Sequence, residues 1–363
     1  MRTVLRIVPL AALLAAGCAS QTDDTTQQAL VFDPVLTQQN SGTDALLISV
    51  SIVNRDTVWA SGAAGTFVRT TDGGATWHAG VVPGADSLQF RDVHALNGST
   101  AWLLSIGNGD QSRIYHTVDA GATWTLQFTN AEPDGFFDCF DFWDADSGIA
   151  FSDSFDGGFY LIETADGGTT WTRIPTDRLP PANEGEGSFA SSGTCLVSRP
   201  NGHAWIGTGA SPAGARVLRT TDRGATWSSV PTPIVAGQAA GIATLAFHDD
   251  QIGSAIGGDI ASPDSLTDNV AITTDGGASW SLAARTPFPG AAYGSAWVPG
   301  TRDPTLVAVG PGGVAFTLDL ATTWTTLDSL THWGVSFAAP DAGWAVGPAG
   351  RITRLTLFRG ERS

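Results

Sequence analysis

The sequence predicts an all-β fold, a seven-bladed β-propeller closed by a strand from the N-terminal end of the chain. Three observations carry that expectation. An octapeptide, TTDGGATW at 70–77, returns as TVDAGATW (117–124), TADGGTTW (164–171), TTDRGATW (220–227), TTDGGASW (273–280) and the degenerate TLDLATTW (317–324). Its aspartates, Asp72, Asp119, Asp166, Asp222, Asp275 and Asp319, lie 47, 47, 56, 53 and 44 residues apart, and a fixed element at a period of about 40 to 50 residues marks stacked four-stranded units. Stretches that read as the first strand of such a unit number seven, against six octapeptides. The 44 glycines and 13 tryptophans, with only 15% charged residues, suit a turn-rich β protein rather than a helical one.

Each position of the octapeptide has a task in a tight turn. The aspartate carboxylate is expected to accept hydrogen bonds from backbone N–H groups a residue or two ahead. The glycine two places on (Gly74, Gly121, Gly168, Gly224, Gly277) allows a positive φ without a Cβ clash. The threonine or serine before the tryptophan adds a hydroxyl partner. The tryptophan opens the next strand and offers a large apolar face for packing between blades. This pattern resembles the Asp-box, or bacterial neuraminidase repeat, S/T-x-D-x-G-x-T/S-W, and the resemblance implies structural turns at the blade periphery, away from the central channel. The sixth copy carries Ala321 at the glycine position and is expected to be the most strained.

Taken in order, the chain opens on a secretion signal, residues 1–18. Arg2 and Arg6 charge its start, and the apolar run 7–16 is too short for a stable bilayer span. It ends in LAAGC (14–18), which resembles a bacterial lipobox and makes Cys18 the expected lipidated residue; ordinary cleavage beside Ala19 is the alternative. Either route places the domain in the cell envelope, on the periplasmic or extracellular face. Residues 19–29 are polar and small and read as a flexible tether. The propeller spans 30–358, and 359–363 form a C-terminal tail. In the first full unit the expected strands are 46–53, 57–61, 66–70 and 76–81, and later first strands begin near Phe90, Phe137, Gly193, Ile242, Tyr293 and Trp333. The last unit holds three strands (335–338, 344–346, 351–357), and 30–36 is its expected fourth. Sharing one blade between both ends of the chain would remove the open edges of a linear array.

The unit GWAVGPAGRITRLT (343–356), with the repeated octapeptide, resembles the photosystem II stability/assembly factor type of Asp-box propeller over roughly 30–358. The resemblance implies a seven-bladed, non-enzymatic binding or assembly factor, and specifies no photosynthetic role. All 18 basic residues are arginines, against 35 acidic ones, and the net charge of −17 argues against nucleic acid and anionic membrane surfaces as partners. The expected partner is a cell-envelope protein or glycan, the expected state a monomer without cofactor, and the only membrane contact an N-terminal lipid. The alternative is a glycoside hydrolase, sialidase-like or using two carboxylates, because Asp-boxes also occur in such enzymes. Of the three tyrosines, Tyr115 and Tyr160 fall in third strands, where packing is their expected role, and the TRIP segment (172–175) follows a tryptophan in a fourth strand, the wrong context for a sialidase arginine.

Propellers bind ligands at the channel mouth, near the starts of the innermost strands. Arg91, Asp92 and His94 (in FRDVH), Asp138 and Asp141 (in FFDCFDFWD), Glu184 and Glu186 (in NEGEGS) and Tyr293 (in AAYGS) are the binding candidates there. Such a set could hold a sugar, a peptide or a carboxylate, or simply line a wet channel. The acidic run 134–156 matches no calcium-loop spacing and the six histidines show no paired zinc-ligand spacing, so no metal site is expected. Of the three cysteines, lipidation of Cys18 would leave Cys139 and Cys195, each in the first strand of neighbouring units. An oxidising compartment favours a disulfide between them, with two buried thiols as the alternative.

Overall fold

The computed structural model describes residues 30–360. The secretion signal, Cys18, the tether and residues 361–363 lie outside the described residues. Seven four-stranded antiparallel sheets make up the protein. Their first strands are Leu47–Ile52, Phe90–Ala95, Phe137–Phe142, Leu196–Ser198, Ala240–Phe247, Gly294–Val298 and Gly334–Ala339. Each packs beside the next, and the seventh packs beside the first, so they ring a central axis as the innermost strands of a seven-bladed propeller. Blades 1 to 6 are each built from four consecutive strands. The seventh sheet draws on both ends of the chain: Leu30–Asn40 pairs antiparallel with Arg351–Gly360. Both strands outrun the expected 30–36 and 351–357. In blade 4 the first strand starts at Leu196, later than Gly193, because the residues before it cross the channel mouth.

The six octapeptides share one hydrogen-bond pattern. In the first, the Thr70 hydroxyl donates to Asp72 Oδ1 (2.8 Å) and accepts from the Gly74 N–H (3.0 Å). The Thr76 N–H and hydroxyl then donate to the two Asp72 oxygens, at 2.9 and 2.6 Å. The carboxylate therefore reaches four residues ahead rather than one or two, because two successive residues in the left-handed region fold the chain back over it. In the first copy these are Gly73 (φ 68°) and Gly74 (φ 82°); in the sixth they are Leu320 (56°) and Ala321 (60°). The sixth turn thus carries two side chains in a conformation that costs each about 1 kcal/mol. It still keeps every bond, including Thr323 N–H to Asp319 Oδ1 at 2.9 Å. The Thr76 hydroxyl bond, chiefly, pushes the Asp72 carboxyl down to about 2, and the Ser279 hydroxyl does the same for Asp275.

These turns also join the blades. Trp102, in the second strand of blade 2, donates its indole N–H to Gly167 O in the turn of blade 3 (3.1 Å), and Trp205 of blade 4 does the same to Gly276 O of blade 5 (2.9 Å). The next glycine is where the preceding blade lands: a Cβ on Gly168 would sit 2.3 Å from Gln127 Oε1, and one on Gly74 2.3 Å from Gln39 Oε1. Between blades 7 and 1 that role falls to the N-terminal strand. Gln39 Oε1 accepts from both Trp344 Nε1 (3.0 Å) and Trp77 Nε1 (3.1 Å). The largest fully buried side chains, Trp59, Trp102, Trp205 and Trp344, are all second-strand residues, whereas the octapeptide tryptophans are buried less completely. The core is accordingly a set of inter-blade layers, as in the cluster of Cys139, Ile149, Phe151, Cys195, Ile206 and Trp227 from blades 3 and 4.

Cys139 and Cys195 form a disulfide, with Cα atoms 6.1 Å apart. A bulge between Phe137 and Cys139 sets the register, so that Cys139 pairs with Phe151 of its second strand, while Cys195 directly precedes Leu196, which pairs with Ile206. Neighbouring rungs are bridged by hydrogen bonds, Ser49 Oγ to Asp92 Oδ1 (3.4 Å) and Thr244 Oγ1 with Ser295 Oγ (3.0 Å).

Two consequences are testable by denaturant unfolding. Trp205→Ala, which removes a fully buried ring and its bond to the next blade, is expected to cost about 3–5 kcal/mol, against little change for a Trp324→Phe control at the half-buried sixth octapeptide. Deleting residues 30–36 is expected to strip the outer strand from blade 7 and lower the unfolding midpoint sharply; a midpoint equal to that of the chain starting at Leu30 would refute a structural role for this strand.

Candidate functional site

The channel mouth, where the sequence places most binding candidates, is filled by the protein itself. Residues 183–193, between the last strand of blade 3 and the first of blade 4, lie across it. Glu186 anchors this segment and is wholly buried. Arg216 donates to its two carboxylate oxygens at 2.7 and 2.6 Å, and the Thr208 hydroxyl (2.6 Å) and the Asn183 N–H (2.8 Å) complete the shell. Arg91 Nη1 donates to Ala190 O (2.9 Å) while its guanidinium lies over the Trp333 ring, 4.9 Å from the centroid. Ser192 Oγ donates to Tyr293 O (2.7 Å), and the Tyr293 ring packs on Trp333. Gly193 closes against Asp92: a Cβ there would meet Asp92 Oδ1 at 2.1 Å.

The carboxyls beneath this segment are withdrawn from solvent. Burial pushes Asp92 well above the usual carboxylate range, although the Phe140 N–H donates to it at 2.9 Å. Asp138 and Asp153 lie against each other. Burial, and then the neighbouring Asp153 charge, push Asp138 well up, with Arg91 pulling the other way. Asp153, raised chiefly by burial, accepts from the Ser188 N–H at 2.8 Å. Two buried carboxyls side by side keep one proton between them. Burial likewise raises the Tyr293 phenol, which holds it neutral.

His94 and Asp141 come together toward the opposite ends of the same innermost strands. His94 Nδ1 and Asp141 Oδ1 are 2.8 Å apart, and the other Asp141 oxygen accepts from the Ser198 N–H at 2.7 Å. This pair ties blades 2, 3 and 4 together. Glu184 is exposed on the mouth segment. The structure therefore gathers Arg91, Asp92, Asp138 and Tyr293 around one plugged mouth, commits Glu186 to an ion pair and separates His94 and Asp141 from the rest. Farther along the acidic run, Asp144 pairs with Arg223 at 2.6 Å, and among the described residues no group of three or more His, Cys, Asp or Glu is arranged to hold a metal ion.

An open concavity lies elsewhere, on the octapeptide end of the ring beneath blades 6 and 7. It is a groove of ≈1110 Å³ lined by Leu30, Arg302, Leu318, Pro340, Phe358 and Arg359, among others. No single sequence motif marks it, because its walls come from both chain ends and from the bottom turns of three blades. The only signal available was the count of seven first strands against six octapeptides.

No protein-family model matches this chain, and no curated protein sequence matches it. Solved structures do. YCF48 bound to D1 peptide aligns with a TM-score of 0.59 at 16% identity, covering 88% of this chain and 96% of that one. YCF48 from Cyanidioschyzon merolae aligns with a TM-score of 0.61 at 14% identity, over 88% of this chain and 98% of that one. The WD40 beta propeller domain of Doa1 aligns with a TM-score of 0.58 at 15% identity, over 92% and 98% of the two chains. Likeness at this identity establishes the propeller fold, and it spans nearly the whole described chain.

The Asp138–Asp153 pair sets a pH dependence whose sign follows from its raised folded-state values. Its contribution is fully present below the unfolded carboxylate pKa of about 4 and is lost as pH rises through the folded values. Asp138→Asn removes the second ionisable group while keeping an acceptor for the mouth segment and supplying a donor to Asp153. Its melting temperature is expected to exceed that of the wild type at pH 8 and to converge with it near pH 4. A constant offset at every pH would refute the shared proton.

Proposed function

We propose that this protein is a non-enzymatic binding factor of the cell envelope that presents a rigid propeller to a protein partner, held at the membrane by a lipid on Cys18 and working as a monomer. The observation that carries this reading is the plugged mouth. Hydrolysis of a glycosidic bond needs two carboxyls about 5 to 10 Å apart facing an open cleft. Here Asp92 and Asp138 are buried, Asp153 is half-buried with its carboxylate on the Ser188 N–H, Glu186 is consumed by Arg216, and Asp141 is consumed by His94 and Ser198. Tyr293 is neutral and packed on Trp333 rather than aimed at a substrate. A binding surface needs none of these groups to be free. The likeness to YCF48, solved with a D1 peptide, supports a protein rather than a glycan as the partner.

The six octapeptides act in this reading as Asp-box turns that stiffen the scaffold. Rigid repeats bind through preformed surfaces that lose little entropy on association, which suits a binding factor.

The test has two arms on the mature protein. Fluorogenic sialosides and aryl glycosides are expected to be hydrolysed no faster than in buffer, and cross-linking in envelope extracts is expected to recover one reproducible protein partner. Turnover abolished by Asp141→Asn with an unchanged melting temperature would overturn the reading in favour of a glycosidase.

A further inference from the structure

Two buried positions of blade 7 depart together from the pattern of the repeat. The first lies where a blade opens. The backbone N–H there donates to the end of the preceding blade's second strand: Leu47 to Gly347 O (3.1 Å), Ile242 to Thr208 O (3.2 Å), Ala292 to Gly257 O (2.9 Å) and His332 to Gly310 O (3.2 Å). All four side chains are wholly buried, and of the four only His332 is polar. The second position lies in the third strand. Val68, Tyr115, Ile162, Leu218, Ala271 and Ala315 stand there in blades 1 to 6, each paired with its second strand, whereas blade 7 places Thr353 opposite Ala345. Burying a polar group is costly unless it is bonded, and these two bond to each other.

His332 Nε2 lies 2.8 Å from Thr353 Oγ1, and its Nδ1 lies 2.9 Å from Leu330 O. Gln38, on the N-terminal strand, donates its side-chain N–H to Thr353 Oγ1 at 2.8 Å. A carbonyl only accepts, so Nδ1 carries the hydrogen of the neutral ring and Nε2 accepts from the Thr353 hydroxyl. The relay therefore runs one way, from Gln38 through Thr353 and His332 to Leu330 O. It ties the N-terminal strand, the third strand of blade 7 and the connection from blade 6 at the seam where the ring closes. A proton added at Nε2 reverses the middle bond. Thr353 Oγ1 then faces two donors, and its own hydrogen loses the acceptor it had.

The surroundings resist that proton. Arg351 donates Nη1 to Thr331 O at 2.5 Å, which sets a guanidinium beside the ring. Asp328, which pulls the other way, accepts from the Leu330 N–H at 2.9 Å. Gln38 and Gly310, from the N-terminal strand and blade 6, are neutral. Burial, chiefly, holds the His332 imidazole below its usual range. The next residue, Trp333, carries the Arg91 guanidinium and the Tyr293 ring at the mouth.

We propose that His332 is an acid-sensitive latch at the seam of the ring. The neutral imidazole fastens the 329–333 connection to blade 7; protonation releases that connection and draws Trp333 off Arg91 and Tyr293, loosening the mouth segment. The sign follows from a ring that is harder to protonate in place than in solvent. Its fastening is fully present above the free imidazole value of about 6.5 and is lost as pH falls through the lower value of the folded state. The Asp138–Asp153 pair runs the other way and loses its contribution as pH rises. The latch stands independently of the protein-binding reading.

Hydrogen exchange of the mature protein, followed by mass spectrometry at pH 7.5 and pH 5.0 and corrected for intrinsic rates, tests this assignment. A released ring of ordinary basicity favours the open state by at most about thirtyfold at pH 5.0. Amides of 329–336 are accordingly expected to exchange about tenfold faster there than at pH 7.5, and amides of 190–193 to follow, while those of Gly253–Asp259 keep their rates. His332→Gln supplies a donor to Leu330 O and an acceptor to Thr353 without titrating, and is expected to abolish the response. In the wild type, the ring-nitrogen chemical shifts of His332 are expected to show the Nδ1–H tautomer at pH 7.5, a readout that needs no variant to fold. Equal exchange of 329–336 at the two pH values, a response that survives in His332→Gln, an Nε2–H tautomer, or a response that never reaches 190–193 would overturn the latch.

Discussion

The burial of apolar faces between neighbouring blades is the constraint on which the ring depends, and at two interfaces a second-strand indole bonded to a turn carbonyl of the next blade fixes it. A single four-stranded blade has two apolar faces and cannot bury either alone, so its stability is inseparable from its neighbours. Flat faces can slide against each other; a directional bond prevents it. Trp102 to Gly167 O and Trp205 to Gly276 O lock adjacent blades in register, while each ring fills the layer between them. The octapeptide makes this possible by closing on its aspartate so that the carbonyl of its fourth residue, Gly167 or Gly276, faces the preceding blade. Its glycine then matters twice, for its positive φ and for the side chain of the preceding blade that rests on it, Gln127 on Gly168 and Gln39 on Gly74.

That double role explains what was legible in the sequence and what was not. The period and the turn residues announce the blades because they are local: Thr70, Asp72, Gly74 and Thr76 satisfy one another within seven residues. The tryptophans of the second strand, Trp59, Trp102, Trp205 and Trp344, carry no comparable local signature and are not picked out by the repeat. The partners of Trp59, Trp102 and Trp205 sit one blade away, and that of Trp344 comes from the N-terminal strand. The cysteine pair was legible through adjacency of first strands, but its register was not. The bulge after Phe137 shifts Cys139 by one place, and bulges leave no composition signal.

The mouth shows the opposite limit. Arg91, Asp138 and Tyr293 do converge there, as residues at the starts of innermost strands must. What the sequence conceals is the chain segment laid over them. Residues 183–193 contain no repeat and no regular element, and their path is set by long-range contacts: Glu186 to Arg216, Asp153 to the Ser188 N–H, Arg91 to Ala190 O. A glutamate in an NEGEGS stretch reads as exposed until an arginine 30 residues later is known to bury with it. The polar residues of the mouth thus hold the segment in place, and their buried carboxyls are tolerated because a shared proton and backbone donors replace water.

Carboxyls at the two ends of the molecule answer to opposite physics. In the octapeptide turns, hydroxyl and amide donors favour the ionised form and pull Asp72 and Asp275 down to about 2, so these turns keep their charge in any mildly acidic medium. Under the mouth segment, burial favours the protonated form of Asp92 and Asp138. Repeat symmetry spreads identical turns around six blades and gives a partner no reason to choose one. The break at blade 7, where Leu355 stands at the turn threonine's position and the strand runs on to Gly360, supplies a shape the other blades lack.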